Sequence, residues 1–289
     1  MFFFTSHIKK LQKHVPEINF LDIGSKGGLQ SWFYLIKENL NTIGFDLDSK
    51  NLLFNQEGKK IFYRNDLESC SSLFKPNKNM NLYEGELLRQ NYIEQEVLVD
   101  TLNNQLKNFD DKIDLIKIDT QGSEYEIIEG GLERINKDKP FLFIETWALP
   151  YYENIKYFDQ IIALLRKINY EIYLMDIAGS AHANLKNKSF GNCGQKKHTG
   201  FNIFIGPSFK SLCEVNDERQ NIKNSFILFV HDLLSFSYKI SERHNNNYTT
   251  CLKGLVERRI KYKTFYKFYK YFSYLKMQFL KNNNFFPLT

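Results

Sequence analysis

Asp119 is the residue best placed to do chemistry. The run Ile113-Asp-Leu-Ile-Lys-Ile-Asp119 has the length and apolar content of a buried strand. It ends in a carboxylate and passes through Gly122 into a helix start at Ser123. Charged and amide groups at the carboxyl end of such a strand stand where open α/β sheets bind ligands. A second strand-then-loop segment, Phe20-Leu-Asp-Ile-Gly-Ser-Lys-Gly-Gly28, offers glycines in place of bulk. Glycines there permit positive φ angles and let a ligand approach the backbone, and the N–H groups of the helix start that follows favour an anion such as a carboxylate. Asp22, inside this motif, is awkward beside a pyrophosphate and suits a cation-bearing amino acid; a purely structural turn is the plain alternative. Asp46 ends the next strand, where an acidic side chain accepts hydrogen bonds from ribose hydroxyls. Asp48 is a second candidate, and a solvated carboxylate is the plain reading of either. Together these residues point to a nucleotide-type cofactor on one side of a crevice and an acceptor on the other.

Positioning them requires a sheet. Residues 20–23, 42–46, 61–64, 113–119, 140–145, 170–175 and 201–205 read as strands. Helical patterns lie between several of them, at about 30–39, after Ser123 and at 155–168. Ser123 and Glu126 have capping-box spacing, followed by the stripe Ile127, Ile128, Leu132 and Ile135. Alternation of strands and helices implies a mostly parallel sheet with helices on both faces. The last two strands are joined by a loop with glycines, histidines and lysines rather than a helix, which predicts an antiparallel end to the sheet. Beyond about Cys213 the pattern turns helical, so residues 1–212 read as the cofactor-binding domain and 213–289 as a helical, basic and aromatic extension.

Composition narrows the function classes. No run of about 18 apolar residues is present to cross a bilayer, and Met1-Phe-Phe-Phe is too short for a signal-peptide core. The expectation is a cytoplasmic protein. Four scattered cysteines form no Cys-x-x-Cys pair, which disfavours a zinc site or disulfide framework. From Leu252 onward nine basic residues face only Glu257, an excess larger than the +6 of the whole chain. The body is therefore slightly acidic, and a nucleic-acid partner is not expected.

The chain resembles the FkbM family of S-adenosylmethionine-dependent methyltransferases. The likeness rests on Leu21-Asp-Ile-Gly…Gly28, Gly44-Phe-Asp-Leu-Asp48, Cys70-Ser-Ser-Leu-Phe, Leu115-Ile-Lys-Ile-Asp-Thr-Gln-Gly-Ser-Glu-Tyr-Glu-Ile-Ile-Glu-Gly130 and Phe141-Leu-Phe-Ile-Glu145, spanning roughly residues 15–206. It implies a class I methyltransferase fold, a Rossmann-like three-layer sandwich whose seven-stranded, mostly parallel sheet has an antiparallel last strand. The resemblance places Asp22, Gly24, Ser25 and Gly28 around the methionine half of S-adenosylmethionine and Asp46 at the ribose. Asp119 falls near the sulfonium and acceptor, with Glu124 and Glu145 at the same edge. It implies O-methylation of a hydroxyl, often on a sugar in a glycan or glycolipid.

An alcohol is a poor nucleophile until its proton leaves, so a general base is useful. Asp119 is the first choice, since a strand-end carboxylate can be desolvated. Glu145 shares its edge, and His182 and His198, in the loop before the final strand, are the other candidates. Lys117 and Glu124 also read as groups that pair or solvate at the rim. A divalent metal near Asp119, Glu145 and an amide such as Asn184 is an alternative that the spacing does not compel. No Asp/Asn-Pro-Pro-Tyr or Pro-Cys motif favours methylation of nucleobases, and neither Gly-x-Gly-x-x-Gly nor a Walker pattern supports an oxidoreductase or nucleotide hydrolase.

One departure from the family is the short stretch between Asp48 and Asn55-Gln-Glu-Gly58, where a full helix and another strand are usual. It motivates the alternative of a non-catalytic module that binds a partner or membrane through its tail. In that tail Lys263, Lys267 and Lys270 oppose Phe265, Phe268, Phe272, Leu275 and Phe279. This basic amphipathic pattern over 258–281 suits peripheral contact with the inner membrane face. Because Lys261 and Lys276 intrude on the apolar side, packing on the body or in a homo-oligomer is favoured.

Overall fold

The computed structural model describes residues 2–24, 33–45, 52–82, 91–181 and 197–261. Ser25, Gly28, Asp46, His182, Asn184 and the tail beyond Lys261 lie outside them. Nine strands are described: β1 (Ile18–Ile23), β2 (Leu40–Phe45), β3 (Leu52–Phe54), β4 (Gly58–Asn65), β5 (Tyr92–Thr101), β6 (Leu115–Ile118), β7 (Phe141–Trp147), β8 (Tyr170–Ala181) and β9 (Lys197–Pro207). The helices are α1 (Phe2–Gln12), α2 (Leu102–Gln105), α3 (Glu124–Gly130), α4 (Leu132–Asp138), α5 (Phe158–Arg166), α6 (Phe209–Glu214), α7 (Glu218–Val230), α8 (Leu234–Ser241) and α9 (Asn247–Lys261).

Two compact units emerge. One spans Glu17–Glu214; the other joins α1 to α7, α8 and α9. The division falls after Glu214, and the first sixteen residues group with the helical unit rather than with the sheet. The reason is local: Ile8 and Leu11 are buried and α1 packs on α9. Within that unit Ser225 and Ser237 each donate to the other's carbonyl at 2.8 Å, and Tyr248 donates to Ser225 Oγ at 2.9 Å, so α7, α8 and α9 meet through satisfied buried hydroxyls.

The larger unit is a mixed α/β fold. Its main sheet runs β2-β1-β6-β7-β9-β8. β1, β2, β6 and β7 are parallel, and β9 is antiparallel to both β7 and β8. β1 and β6 are buried at every residue, as central parallel strands are. One sheet face is aliphatic, with Leu21, Ile116, Leu142, Ile144 and Ile203 packed on Ile127, Ile128, Ile161 and Leu165 of α3 and α5. Aromatic rings fill the other: Phe33 stacks on Phe20 at 4.6 Å and meets Phe143 edge-on, while Phe141 stacks on Phe204.

Four expectations need correction. The main sheet has six strands among the described residues, not seven. Only six residues separate β2 from β3, too few for the crossover that a further parallel strand requires. β3 instead pairs with β5, and β5 with β4, in a separate three-stranded sheet. The helix expected at 30–39 is, in its described part, a 3-10 helix at Phe33–Asn39, whose buried residues Phe33, Ile36 and Asn39 recur every third position. The helix after Ser123 is two, α3 and α4, broken at Gly131, where a Cβ would sit 2.6 Å from Leu102. Ser123 makes no side-chain cap; its hydroxyl donates to Thr120 Oγ1 at 3.2 Å.

Candidate active site

The site begins where β1 and β6 end. Gly24 adopts φ +79°, and a Cβ there would lie 1.9 Å from the Asp119 carbonyl oxygen. Its N–H donates to Phe45 O at 2.9 Å, while Asp119 N–H donates to Ile23 O at 3.1 Å. The chains leaving β1, β2 and β6 are thus held edge to edge, and only a residue without a side chain passes between them.

Beneath this crossing lies Lys117. Parallel pairing sets it opposite Asp22, so the two side chains share a sheet face. Both are about 3% exposed, and Nζ stands 3.1 Å from Asp22 Oδ1. The ammonium also donates to Gly24 O at 3.1 Å and faces Asp119 Oδ2 at 3.7 Å. Lys117 therefore does not solvate a rim; it ties the glycine turn to both carboxylates from below. A lysine in an otherwise apolar strand is the signal that could have shown this, since a buried ammonium demands partners.

The turn after β6 is held in an uncommon shape. Gln121 is left-handed at φ +58° and Gly122 at φ +118°. Gln121 Nε2 donates to Asp119 Oδ1 at 3.3 Å. The Tyr152 hydroxyl lies 3.2 Å from Gln121 Oε1, and Ser72 Oγ donates to Gln121 O at 2.7 Å. Glu124 folds back beneath the turn, about 1% exposed. The Gly122 N–H lies 3.0 Å from both its carboxylate oxygens, and Thr120 donates from N–H at 3.0 Å and from Oγ1 at 3.2 Å. Burial pushes the Glu124 carboxyl up to about 7, against the pull of those N–H groups and with a further upward push from Asp119.

Glu126, on the same short helix, is also buried, and its Oε2 has no hydrogen-bond partner. Burial pushes it up to about 7, opposed by its own N–H, Lys156 and Lys60. A carboxyl that holds its proton more tightly folded than unfolded stabilises the fold below about 4.5, and that contribution is lost as pH rises through about 7. Glu126→Gln is therefore expected to raise stability at pH 8 by about 1–3 kcal/mol and to change little at pH 4. Urea midpoints at the two pH values measure it; equal midpoints of wild type and variant at pH 8 would contradict it.

A cavity opens above these groups at the carboxyl ends of β1, β2 and β6. Gly24, Asp119, Thr120 and Gln121 form its polar floor; Phe45, Leu53, Phe62 and Ile127 give it apolar walls, and Ser69 and Ser71 close one side. The wall supplied by β3 and β4 was not foreseen from the sequence.

The expected site residues divide accordingly. Asp22, Gly24 and Asp119 come together, although Asp22 lies below the described cavity lining, occupied by Lys117. Glu145 is half-buried on β7, opposite Asn202 of β9. Strand alternation puts it on the face of Phe143, the register partner of Lys117. His198 is exposed at the start of β9, opposite Ser180. Ser25, Gly28, Asp46 and His182 fall outside the described residues, as does Asn184. No three His, Cys, Asp or Glu side chains cluster to hold a metal ion among the described residues. Of the basic tail, Arg259 is described and pairs with Asp232. No helix among the described residues is long and apolar enough to cross a membrane.

Comparison with curated proteins finds no match. Comparison with protein families does: the family described as the methyltransferase FkbM domain matches residues 15–172, more than half of the chain and every element that builds the cavity floor. The chain belongs to the FkbM methyltransferase family.

Proposed function

We propose that the protein is an S-adenosylmethionine-dependent O-methyltransferase whose acceptor is a hydroxyl, in the first instance on a sugar of a glycan or glycolipid. The observation that carries this reading is the meeting of Gly24, Lys117 and Asp119 under one cavity with apolar walls. The residues present fit the cofactor. Gly24 lines the cavity with backbone that carries no side chain, and the aromatic and aliphatic walls suit a flat, weakly polar base. Bound there, the cofactor supplies an electrophilic methyl group on a sulfonium.

The chain's own residues have three tasks. Gly24 and the neighbouring backbone would hold the cofactor. Phe45, Leu53, Phe62 and Ile127 exclude water from one wall, which strengthens polar interactions inside. Asp119 accepts the acceptor's hydroxyl proton; its oxygens are oriented by Lys117 on one side and Gln121 on the other. Methyl transfer is an in-line displacement, so most of the rate comes from this alignment, with the base adding about 10²–10⁴-fold. Glu145, one strand away on the same face, is the second carboxylate able to meet the acceptor.

Incubation with labelled S-adenosylmethionine and fractionated glycans, lipids and small metabolites tests the reading. Label is expected in a hydroxyl-bearing carbohydrate fraction, and Asp119→Asn is expected to cut the rate about 10²–10⁴-fold with cofactor affinity largely kept. Label appearing only in protein or nucleic acid, or no loss in the variant, would refute the assignment.

A further inference from the structure

We propose that Glu124 is a positioning residue: its buried carboxylate holds the Thr120–Gly122 turn, and through that turn fixes Asp119 and Gln121 toward the cavity. The inference rests on the reading of this cavity as the cofactor and acceptor site. The geometry is direct. One side chain accepts from two backbone N–H groups and one hydroxyl of the turn that precedes its own helix. Two successive residues of that turn, Gln121 and Gly122, carry positive φ, a conformation that costs about 1–2 kcal/mol for a residue with a side chain and persists only where its surroundings enforce it. Ser72 Oγ and the Tyr152 hydroxyl hold the outer side of Gln121; Glu124 holds the inner side.

The carboxylate is acceptor-only when ionised and carries an O–H when protonated. The Gly122 N–H bridges both oxygens, so protonation removes part of its acceptor and loosens the turn. Asp119 is the charged group that faces Glu124, and Lys117 stands behind Asp119. Glu126 on the same helix looks instead toward Lys156 and Lys60. Of the segments packed on the turn's outer side, Ser72 and Tyr152 bring hydroxyls and Ile155 an alkyl group.

The test separates positioning from simple stabilisation. Glu124→Gln removes a buried charge, so it is expected to be at least as stable as wild type at pH 8. It places an amide N–H₂ against the Gly122 N–H, so its affinity for S-adenosylmethionine is expected to fall about 10-fold by calorimetry. Wild-type affinity is expected to weaken as pH drops through about 7, and the variant's to stay flat. Amide resonances of Thr120 and Gly122, followed without ligand, should titrate near the same pH in wild type and not in Glu124→Gln. Glu124→Asp, which keeps the charge but is one methylene too short to reach Thr120 and Gly122 together, should bind weakly at every pH. Amides that do not titrate, or a Gln variant that binds as wild type does, overturn the proposal. Titrating amides in a protein that does not bind S-adenosylmethionine would instead keep the positioning role and refute the cofactor assignment.

Discussion

Replacing Lys117 with methionine is expected to cost about 3–5 kcal/mol of folding stability, because it removes one member of a buried ion pair and strands the other. Asp22 is buried, and Lys117 Nζ stands 3.1 Å from its Oδ1. Without the ammonium, Asp22 has to be buried as an anion or take up a proton, and the Gly24 carbonyl loses its donor as well. The double variant Lys117→Met with Asp22→Asn is expected to recover a large share of the loss, since a neutral amide is far cheaper to bury than an unpaired charge. Urea unfolding of the two single variants and the double variant closes the cycle. Additive losses, or a single-variant loss below about 1 kcal/mol, would mean that the pair is not the structural tie described here.

The second large effect is at Gly24. Gly24→Ala introduces a Cβ 1.9 Å from the Asp119 carbonyl oxygen at a residue with φ +79°. The obstacle is backbone, so no side-chain rotation relieves it, and the ends of β1 and β6 are forced apart. A displacement of about 1 Å at aligned reacting groups costs on the order of 100-fold in rate, and loss of the backbone approach should weaken S-adenosylmethionine binding at least as much. Gly254→Ala is the control: it lies in α9 with nothing within 4 Å of the added Cβ. It is expected to be neutral or stabilising by up to about 1 kcal/mol. Calorimetry with the cofactor and circular dichroism distinguish the two; a Gly24→Ala protein that binds as tightly as wild type would show that the close approach has no bearing on the ligand.

Strands were legible both where they are buried on both faces and where they are partly exposed, as at β2, β4 and β8. β1 and β6 announce themselves as apolar runs because water reaches neither face. β7 is an apolar run with Phe143 and Glu145 half-buried, and the pairing of Asp22 with Lys117 follows once β1 and β6 are neighbours. β5 gave no such signal. Its residues Ile93–Glu96 are exposed, and Gln95 breaks the apolar series of Ile93, Val97 and Val99. Glu124 was readable as a carboxylate near the edge but not as the acceptor of its own turn, because that depends on Gln121 and Gly122 taking positive φ, which propensity does not foresee at glutamine. The apolar wall was hidden for a topological reason: β3 and β4 leave the main sheet, and no local pattern says which sheet a strand joins.

Helix α3 has one further consequence. Its first residue, Glu124, anchors the turn bearing Asp119. Its last, Gly130, lies so close under β3 that a Cβ would come within 2.3 Å of the Phe54 carbonyl oxygen. Leu52 and Leu53, just before Phe54, line the cavity. Seven residues, about 10 Å of helix, therefore act as a strut of fixed length that sets the gap between the edge bearing Asp119 and the hydrophobic wall. That span changes if this helix is lengthened or its terminal glycine is filled.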